Sequence, residues 1–268
     1  MRTITVHGVD VPALGFGTWQ LDGAACERGV AAALDIGYRH LDTAQMYGNE
    51  DHVGAALAAH AVDRGDVFVT TKLANDNHTR DRVRSSTHDS LRRLRTDYLD
   101  LLLIHWPVGE TPFEETLAAM LELSEEGTVR HVGVSNFTAE QLERALETAP
   151  VFANQVEYHP FLGQRELVEV AVKHDVLVTA YSPLARGEVF DDPTLGEIAR
   201  AHDASPAQIA LAWLIAQDHV AAIPKATSPE HIASNFAALD LELSDDELRR
   251  INGLDRDLRL VDPPFAPW

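Results

Sequence analysis

The 268-residue sequence predicts an α/β fold, a single (β/α)8 TIM barrel over residues 1–268 that begins with a short N-terminal β-hairpin. Short β-rich runs alternate with longer amphipathic segments of helical period along the whole chain. Runs such as LDLLLIHW and VFVTTKL are apolar on both faces, which is typical of strands packed inside and covered by helices outside. No Pro-, Gly- or Ser-rich linker interrupts the alternation, so the sequence favours one domain.

The predicted elements follow in a regular order. The hairpin is expected at 4–6 and 9–11, around His7-Gly8. The predicted strands are 13–17, 38–42, 67–72, 99–105, 131–134, 153–157, 176–181 and 221–223. The predicted helices are 24–36, 51–61, 80–94, 112–126, 139–148, 165–174, 195–202, 206–217, 229–237 and 245–254. This alternation implies parallel strands joined by right-handed crossovers.

A doubly wound open sheet is the structural alternative. It would bind a dinucleotide through the motif G-x-G-x-x-G after a strand. The stretch GFGTWQ at 15–20 does not complete that motif, and no other strand is followed by it. The closed barrel is therefore the preferred prediction.

Composition excludes several classes of partner. The chain has 22 Lys plus Arg against 42 Asp plus Glu, and a net charge of −20 repels a nucleic-acid backbone. Cys26 is the only cysteine, so neither an intrachain disulfide nor a cysteine-based metal cage can form. No run reaches the 18 or so apolar residues of a membrane span, and the first residues lack a signal-peptide core. We expect a cytoplasmic protein without membrane or nucleic-acid partners.

Polar side chains stand at the carboxyl ends of the predicted strands, where active sites of parallel barrels lie. These residues are Asp42, Tyr47, Lys72, His105, Trp106, Ser135, Asn136, Asn154, Gln155, Glu157, His159, Tyr181, Ser182 and Lys225. Their convergence predicts a functional site at one mouth of the barrel.

Four of these residues form a candidate proton-delivery set. Burial would lower the pKa of Lys72, whereas a nearby Asp42 carboxylate would favour its charged form. A cation beside the Tyr47 phenol would stabilise the phenolate, and His105 could contact the same oxygen or a carbonyl. The set could protonate a carbonyl group that receives a hydride. Alternatively, Tyr47 is a loop anchor, Asp42 and Lys72 form a structural ion pair, and His105 is a buried neutral histidine.

Several motifs in chain order resemble those of the aldo-keto reductases. They are LGFGTWQ, GYRHLDTAQMYGNEDHVGAAL, LLLIHWP, VGVSNF, NQVEYHP, AYSPLARG and IPKATSPEHIASNF. The family's catalytic tetrad falls on Asp42, Tyr47, Lys72 and His105. The resemblance implies hydride transfer from NADPH to an aldehyde or ketone. Tyr47 would be the general acid, Lys72 would lower its pKa, Asp42 would support Lys72, and His105 would orient the carbonyl.

The same resemblance implies a set of nucleotide contacts. Ser135, Asn136 and Gln155 would hold the nicotinamide carboxamide, and Tyr181 would stack on the ring. The other expected cofactor contacts are Gly17, Thr18, Asp42, Ser182, Leu184, Lys225, Thr227, His231 and Asn235, with Ser182 and Leu184 at the start of the pyrophosphate loop. Ordinary strand-end capping is the alternative role for the first group, and helix packing is the alternative for Asn235.

The adenine end departs from the family pattern. The usual segment resembles P-K-S followed by an Arg that binds the 2′-phosphate, whereas this chain has PKAT at 224–227 and His231 at the Arg position. A neutral histidine offers one donor where arginine offers a charged fork, so phosphate recognition should be weaker. NADPH is expected as the cofactor, and NADH use stays open.

The expected substrate is a small carbonyl compound. Trp19, Tyr47, His105 and Trp106 would line the mouth. The chain passes directly from 108–110 into a helix, which resembles the short prokaryotic reductases of the 2,5-diketogluconate reductase type. Phe265 and Trp268 either reach the pocket or pack on the barrel wall. A monomer or weak homo-oligomer is expected.

Parts of the sequence are also compatible with two other functions. His40-x-Asp42 and Glu157-x-His159, with His105 between them, could supply ligands for a metal-dependent barrel hydrolase, although Tyr47 would then have no role. The reductase itself is expected to need no metal. A cofactor-sensing subunit that binds nucleotide and turns over slowly is the second alternative, and the complete tetrad favours an enzyme over it.

The charge pattern generates a prediction about salt. Lysine occurs only at Lys72, Lys173 and Lys225, and an acidic, lysine-poor surface suits a salt-rich cytoplasm because counterions screen its self-repulsion. On this halophilic hypothesis the melting temperature rises with KCl concentration in thermal unfolding experiments. A melting temperature that does not rise would contradict it and favour simple codon bias.

Overall fold

The computed structural model describes residues 2–268 and begins with the predicted hairpin. Strands β1 (Thr3–Val6) and β2 (Val9–Pro12) are antiparallel, and both turn residues between them have positive φ. The apolar residues of the hairpin pack into the barrel interior against Phe68, Phe152 and Leu177, which lie where strands begin. The hairpin therefore closes the amino end of the barrel.

A parallel sheet follows, in which each strand pairs with its neighbour in sequence. Within residues 2–268 its strands are β3 (Phe16–Gly17), β4 (His40–Asp42), β5 (Phe68–Leu73), β6 (Leu99–Ile104), β7 (Val129–Ser135), β8 (Ala153–Glu157), β9 (Leu177–Tyr181) and β10 (Val220–Ala222). The first and last strands meet at a parallel bridge between Leu14 and Ala222. The Gly15 N–H donates to the Ala222 carbonyl (2.8 Å), and the Ala222 N–H donates to the Ala13 carbonyl (2.9 Å). This closure confirms the barrel and excludes the open sheet.

Helices cover the outside of the barrel. They are α1 (Gly23–Ile36), α2 (Glu50–Ala59), α3 (Arg80–Leu94), α4 (Phe113–Glu125), α5 (Ala139–Thr148), α6 (Arg165–His174), α7 (Pro193–Ala201), α8 (Pro206–Ile215), α9 (Pro229–Phe236) and α10 (Asp245–Asn252). None of the helices formed by residues 2–268 is both long and apolar enough to cross a bilayer.

Some predicted ends of elements were wrong by a few residues. The strand predicted at 13–17 is regular only at Phe16–Gly17, and the one predicted at 131–134 extends over Val129–Ser135 because Val129 pairs with Leu99. The helix predicted at 195–202 begins two residues earlier. The Asp192 carboxylate accepts the N–H groups of the first turn there, and proline occupies the first helical position.

The two faces of the strands pack into different layers. In β6, Leu101 and Leu103 lie with the hairpin inside the barrel, whereas Leu102 and Ile104 pack against the helices. This alternation explains why the run is apolar throughout. In β4 the buried polar pair His40 and Asp42 occurs at the same two-residue spacing, so both side chains share a face of the strand. The carboxyl half of the interior is accordingly polar.

Candidate active site

The four residues of the predicted proton-delivery set come together at the carboxyl end of the barrel. Asp42 ends β4, Lys72 is the fifth residue of β5, and His105 directly follows β6. Tyr47 closes a short 3₁₀ turn, Gln45–Tyr47, in the loop after β4. Parallel strands in register thus bring residues that are 63 positions apart in sequence to one mouth.

Lys72 is the centre of the group, and its side chain is only 1% exposed. Its Nζ lies 2.6 Å from Asp42 Oδ1 and donates to the Thr43 carbonyl (2.8 Å) and to Tyr47 Oη (3.3 Å). All three ammonium protons therefore have acceptors. Burial by itself lowers the pKa of Lys72, but the Asp42 carboxylate and Tyr47 outweigh it and raise the pKa above its ordinary value. Lys72 is a permanent cation at neutral pH.

Tyr47 is held between that cation and an imidazole. Lys72 Nζ is 4.9 Å from the centre of the phenol ring, and the ring meets His105 edge to face at 5.7 Å. Burial raises the pKa of Tyr47, and the charge of Lys72 opposes this shift without cancelling it. The phenol is therefore protonated, with a cation in place to stabilise the phenolate once a proton has left.

His105 is neutral in this environment. Burial, together with the charges of Lys72 and His78, lowers its pKa to about 3. Within the described part of the chain its Nδ1 is buried without a hydrogen-bond partner. Its backbone carbonyl accepts from Asn136 Nδ2 at 2.9 Å, which fixes the segment after β6 against β7. A neutral imidazole can donate a hydrogen bond to a carbonyl oxygen without competing for its proton.

The predicted nicotinamide contacts form a hydrogen-bonded floor beside the tetrad. Gln155 Nε2 donates to Asp42 Oδ2 (2.7 Å), so both carboxylate oxygens of Asp42 are occupied. Ser135 Oγ donates to the Gln155 carbonyl (2.8 Å), and Tyr181 Oη donates to Asn136 Oδ1 (2.7 Å). Asn136 has a φ of 63°, which turns the chain out of β7. Hydroxyl, amide and aromatic groups of this kind fit a nicotinamide ring and its carboxamide.

The residues expected around the rest of the nucleotide occupy two neighbouring loops. After β9, Ser182 has a φ of 48°, and Leu184 precedes a short 3₁₀ segment, Ala185–Phe190. Gly17 and Thr18 lie on the other side of the seam, where Thr18 Oγ1 donates to the Asp42 carbonyl (2.9 Å). Both loops therefore lie at the carboxyl ends of strands β3 and β9, where the pyrophosphate contacts are predicted.

The residues predicted to contact the adenine end of the nucleotide lie around the amino terminus of α9. Lys225 and Thr227 are exposed before the helix, His231 is exposed in its first turn, and Asn235 is 6% exposed. Ser228 caps the helix by accepting the His231 N–H at 3.2 Å. A lysine beside a helix amino terminus favours an anion, so these residues fit a phosphorylated nucleotide.

Trp19 and Trp106, the two tryptophans predicted to line the mouth, follow strands β3 and β6 at the carboxyl end of the barrel. Trp19 is 44% exposed, whereas Trp106 is only 6% exposed because the end of the chain covers it. Phe265 and Trp268 contact Trp106 at ring-centre distances of 5.3 and 5.6 Å. The sequence left open whether Phe265 and Trp268 reach the pocket or pack on the barrel wall. Their contacts with Trp106 place both rings at the mouth.

Two contributors were not anticipated. Thr43 accepts from Lys72 through its backbone carbonyl, and Asn49 Oδ1 accepts from Thr43 Oγ1 (2.8 Å) while Asn49 Nδ2 donates to the Thr18 carbonyl (2.9 Å). A backbone acceptor leaves no signal in residue type. Asn49 could have been noticed only as an amide in the loop that carries Tyr47.

Asp42, Glu157 and His159, three of the five residues singled out for a metal-dependent hydrolase, are hydrogen-bonded to other side chains. Glu157 and His159 are hydrogen-bonded to each other (3.2 Å), and Asp42 binds Lys72 and Gln155. Over residues 2–268, no group of three or more His, Cys, Asp or Glu side chains is arranged to hold a metal ion. The geometry gives that alternative no ligand set.

Known proteins of one family resemble this chain over most of its length. Residues 13–256 match the model of the aldo/keto reductase family. An aldo-keto reductase of Mycolicibacterium smegmatis is 42% identical over 96% of this chain and 94% of its own. Methylglyoxal reductase DkgB of Escherichia coli O157:H7 is 40% identical over 94% and 96%. A crystal structure described provisionally as a 2,5-diketo-D-gluconic acid reductase B superposes with a TM-score of 0.97, at 41% identity over 99% and 96%.

The chain belongs to the aldo/keto reductase family and is an NAD(P)H-dependent oxidoreductase. Its relatives include the short prokaryotic members that the sequence motifs resemble.

The neutral state of His105 predicts a pH dependence of stability. Its pKa is about 3 in the folded protein against 6.5 ordinarily, so between these values the unfolded chain binds a proton that the folded chain does not. The contribution of the neutral His105 imidazole to the free energy of unfolding is complete above pH 6.5. It is lost as the pH falls, by about 1.4 kcal/mol per pH unit. We expect the free energy of unfolding, measured by urea denaturation, to fall between pH 7 and pH 4.5 in both proteins. The fall should be smaller in His105→Gln than in the wild type, by about 2 to 3 kcal/mol.

The exposed His231 offers a matched control for this experiment. His231→Gln should lose stability with falling pH as the wild type does. If His105→Gln also loses as much as the wild type, the imidazole is not held neutral by the fold.

Proposed function

We propose that this protein reduces small aldehydes or ketones to alcohols with NADPH, and that Tyr47 is the general acid. The observation that carries the proposal is the buried chain from Asp42 through Lys72 to the Tyr47 hydroxyl, which ends at the mouth. The bound nucleotide would supply a hydride to the carbonyl carbon. Family membership and a relative named as a methylglyoxal reductase support carbonyl reduction.

The chain's own residues supply the proton and the positive charge that stabilises the tyrosinate left behind. Tyr47 Oη transfers its proton to the carbonyl oxygen as the carbon accepts the hydride, which gives an alcohol and a tyrosinate. Lys72, 3.3 Å away, stabilises that tyrosinate. Asp42 keeps Lys72 charged and fixed, so it acts through Lys72. His105, neutral and beside the phenol ring, orients the carbonyl by donating a hydrogen bond.

The nucleotide would lie across the carboxyl ends of the strands. Ser135, Asn136 and Gln155 would hold the carboxamide, and Tyr181 would stack on the nicotinamide. The pyrophosphate and adenine ends would be held by Gly17, Thr18, Asp42, Ser182, Leu184, Lys225, Thr227, His231 and Asn235. The substrate would enter between Trp19, Tyr47, His105 and Trp106.

We further propose that residues 1–268 work as one barrel domain in a reducing, salt-rich cytoplasm, as a monomer or weak homo-oligomer. The buried lone Cys26 and the net charge of −20 support the compartment. Small dicarbonyl compounds are the first substrates to assay, because two of the relatives are named for such compounds.

Replacing Tyr47 by phenylalanine tests the general acid. Tyr47→Phe removes the transferable proton and little else, so kcat should fall by about 10²-fold or more while the Kd for NADPH changes little. Oxidation of NADPH at 340 nm measures turnover, and fluorescence titration measures nucleotide binding. Tyr98→Phe is the matched control, because it removes a phenol hydroxyl that donates to the Arg64 carbonyl, away from the tetrad.

The outcomes separate the proposed functions. Unchanged kcat in Tyr47→Phe would refute the general acid. The sensing subunit would be favoured if the wild-type protein binds NADPH but does not oxidise it in the presence of any aldehyde or ketone, in either dilute or multimolar KCl.

Cofactor preference depends on His231. His231→Arg adds a permanent charged fork at the exposed first turn of α9, which should tighten NADPH by about 1 to 3 kcal/mol. NADH lacks the 2′-phosphate and should be affected much less. The Kd values of both nucleotides measure the difference. Equal tightening of both would mean that position 231 does not face the phosphate.

A further inference from the structure

The end of the chain docks on the loop that follows β8. After α10, the Leu258 and Arg256 N–H groups donate to the Phe161 carbonyl at 2.9 and 3.3 Å. Asp255 Oδ1 accepts the Gly163 N–H at 3.0 Å, and a Cβ on Gly163 would lie 2.4 Å from Asp255 Oδ2. The tail thus follows a defined path along this loop towards the mouth.

A buried carboxylate holds the tail where it turns to the mouth. Glu157 is fully buried, and its Oε1 accepts the Leu260 N–H (2.9 Å) while its Oε2 accepts the Val261 N–H (3.0 Å). His159 Nδ1 accepts the Phe161 N–H at 3.3 Å, which leaves His159 Nε2 to donate a hydrogen bond to Glu157 Oε1 at 3.2 Å. Neither Glu157 nor His159 has a role in the proton transfer proposed for the tetrad.

The ionisation of Glu157 matches its donors. Burial by itself would raise the pKa of Glu157, but His159 and the two tail amides outweigh burial and lower the pKa. A charged carboxylate facing backbone N–H groups makes hydrogen bonds stronger than neutral ones. Glu157 is therefore a clamp on residues 260–261.

The clamped segment leads directly into the aromatic side of the mouth. We name Trp106, Phe265 and Trp268 the aromatic wall, because the two tail rings pack on Trp106 at 5.3 and 5.6 Å. Trp268 is fixed further by Arg259, whose guanidinium lies 3.9 Å from its ring centre. Phe265 and Trp268 keep 46% and 40% of their surface exposed, which leaves apolar area for a ligand to cover.

We propose that Glu157 is a positioning residue for substrate: by clamping the backbone of residues 260–261 it holds the aromatic wall beside Tyr47 and His105, and so favours carbonyl compounds with an apolar or aromatic substituent. This inference rests on the proposed reductase function. Glu157 acts only through the tail. Its loss should therefore weaken binding of such substrates while leaving the proton-transfer residues in place.

Hydrogen exchange tests the clamp without reference to activity. In Glu157→Gln a side-chain amide faces the tail N–H groups with one oxygen in place of two, so amide exchange in the tail peptide 255–268 should accelerate tenfold or more. Mass spectrometry of the full-length protein measures it. Glu169→Gln, an exposed position on α6, removes the same charge and should exchange as the wild type does. Unchanged tail exchange in Glu157→Gln would overturn the clamp.

Steady-state kinetics test the effect on substrate. In Glu157→Gln the KM for benzaldehyde should rise at least fivefold, while kcat and the Kd for NADPH stay within twofold of the wild type. The KM for propanal should change less than twofold. A general loss of structure would lower kcat and affect both aldehydes. Equal KM changes for the two aldehydes, or a fall in kcat, would overturn the positioning role.

A second variant covers the case in which Glu157→Gln does not fold. The double substitution Phe265→Ala and Trp268→Ala removes the wall from the tail while Glu157 keeps its amide partners. It should raise the benzaldehyde KM by the same factor and leave exchange at 260–261 as in the wild type. A wild-type KM for benzaldehyde in this variant would overturn the proposal. If the wild type reduces no carbonyl compound, the reductase function fails, and the exchange experiment still decides the clamp.

Discussion

The buried ion pair between Lys72 and Asp42 is the interaction on which the site depends. Charges removed from water are tolerated only when each is paired and every remaining donor or acceptor is used. Here the ammonium reaches a carboxylate, a backbone carbonyl and a phenol, and the second carboxylate oxygen takes an amide from Gln155. Strands β4, β5 and β8 are thereby fixed relative to the loop of Tyr47. Removing either charge would leave the other buried without its counter-ion.

The closed barrel accommodates this buried ion pair because it separates an apolar environment from a polar one. At the amino end the interior is filled by apolar side chains and the hairpin, which supply burial without polar demands. At the carboxyl end the interior carries Asp42, Lys72 and Gln155, and the Asp42 carboxylate accepts from both of the other side chains. The seam at Leu14 and Ala222 brings Gly17 and Thr18 beside Asp42. Hydrogen bonds that meet at Asp42 therefore connect Thr18, Gln155 and, through Lys72, the Tyr47 hydroxyl.

The carboxyl-terminal tail extends the site beyond the barrel. Glu157 ends β8, and the barrel thus presents a carboxylate to a segment that is more than 100 residues further along the chain. The tail in turn covers Trp106, which by its position after His105 would otherwise be exposed at the mouth.

Much of this could be predicted from the sequence because the decisive signals are local. The alternation of apolar runs and helical segments gave the number and order of strands, and the position of Asp42, Lys72 and His105 at strand ends placed them at one mouth. Element ends were less certain. The exact start of a helix depends on a cap such as Asp192, and the exact end of a strand depends on its partner. Asn49 was missed because amides in loops are common.

The sequence by itself predicted the barrel, the resemblance to the aldo-keto reductases and the four residues proposed for proton transfer, since each follows from residue type at a fixed spacing. The tertiary structure alone decided three further features: the Thr43 carbonyl as a third acceptor for Lys72, the net rise in the pKa of Tyr47, and the path of the tail from Glu157 to Trp106. These features depend on distances between residues far apart in the chain, on burial and on backbone atoms. None of these quantities is encoded in the type of any single residue.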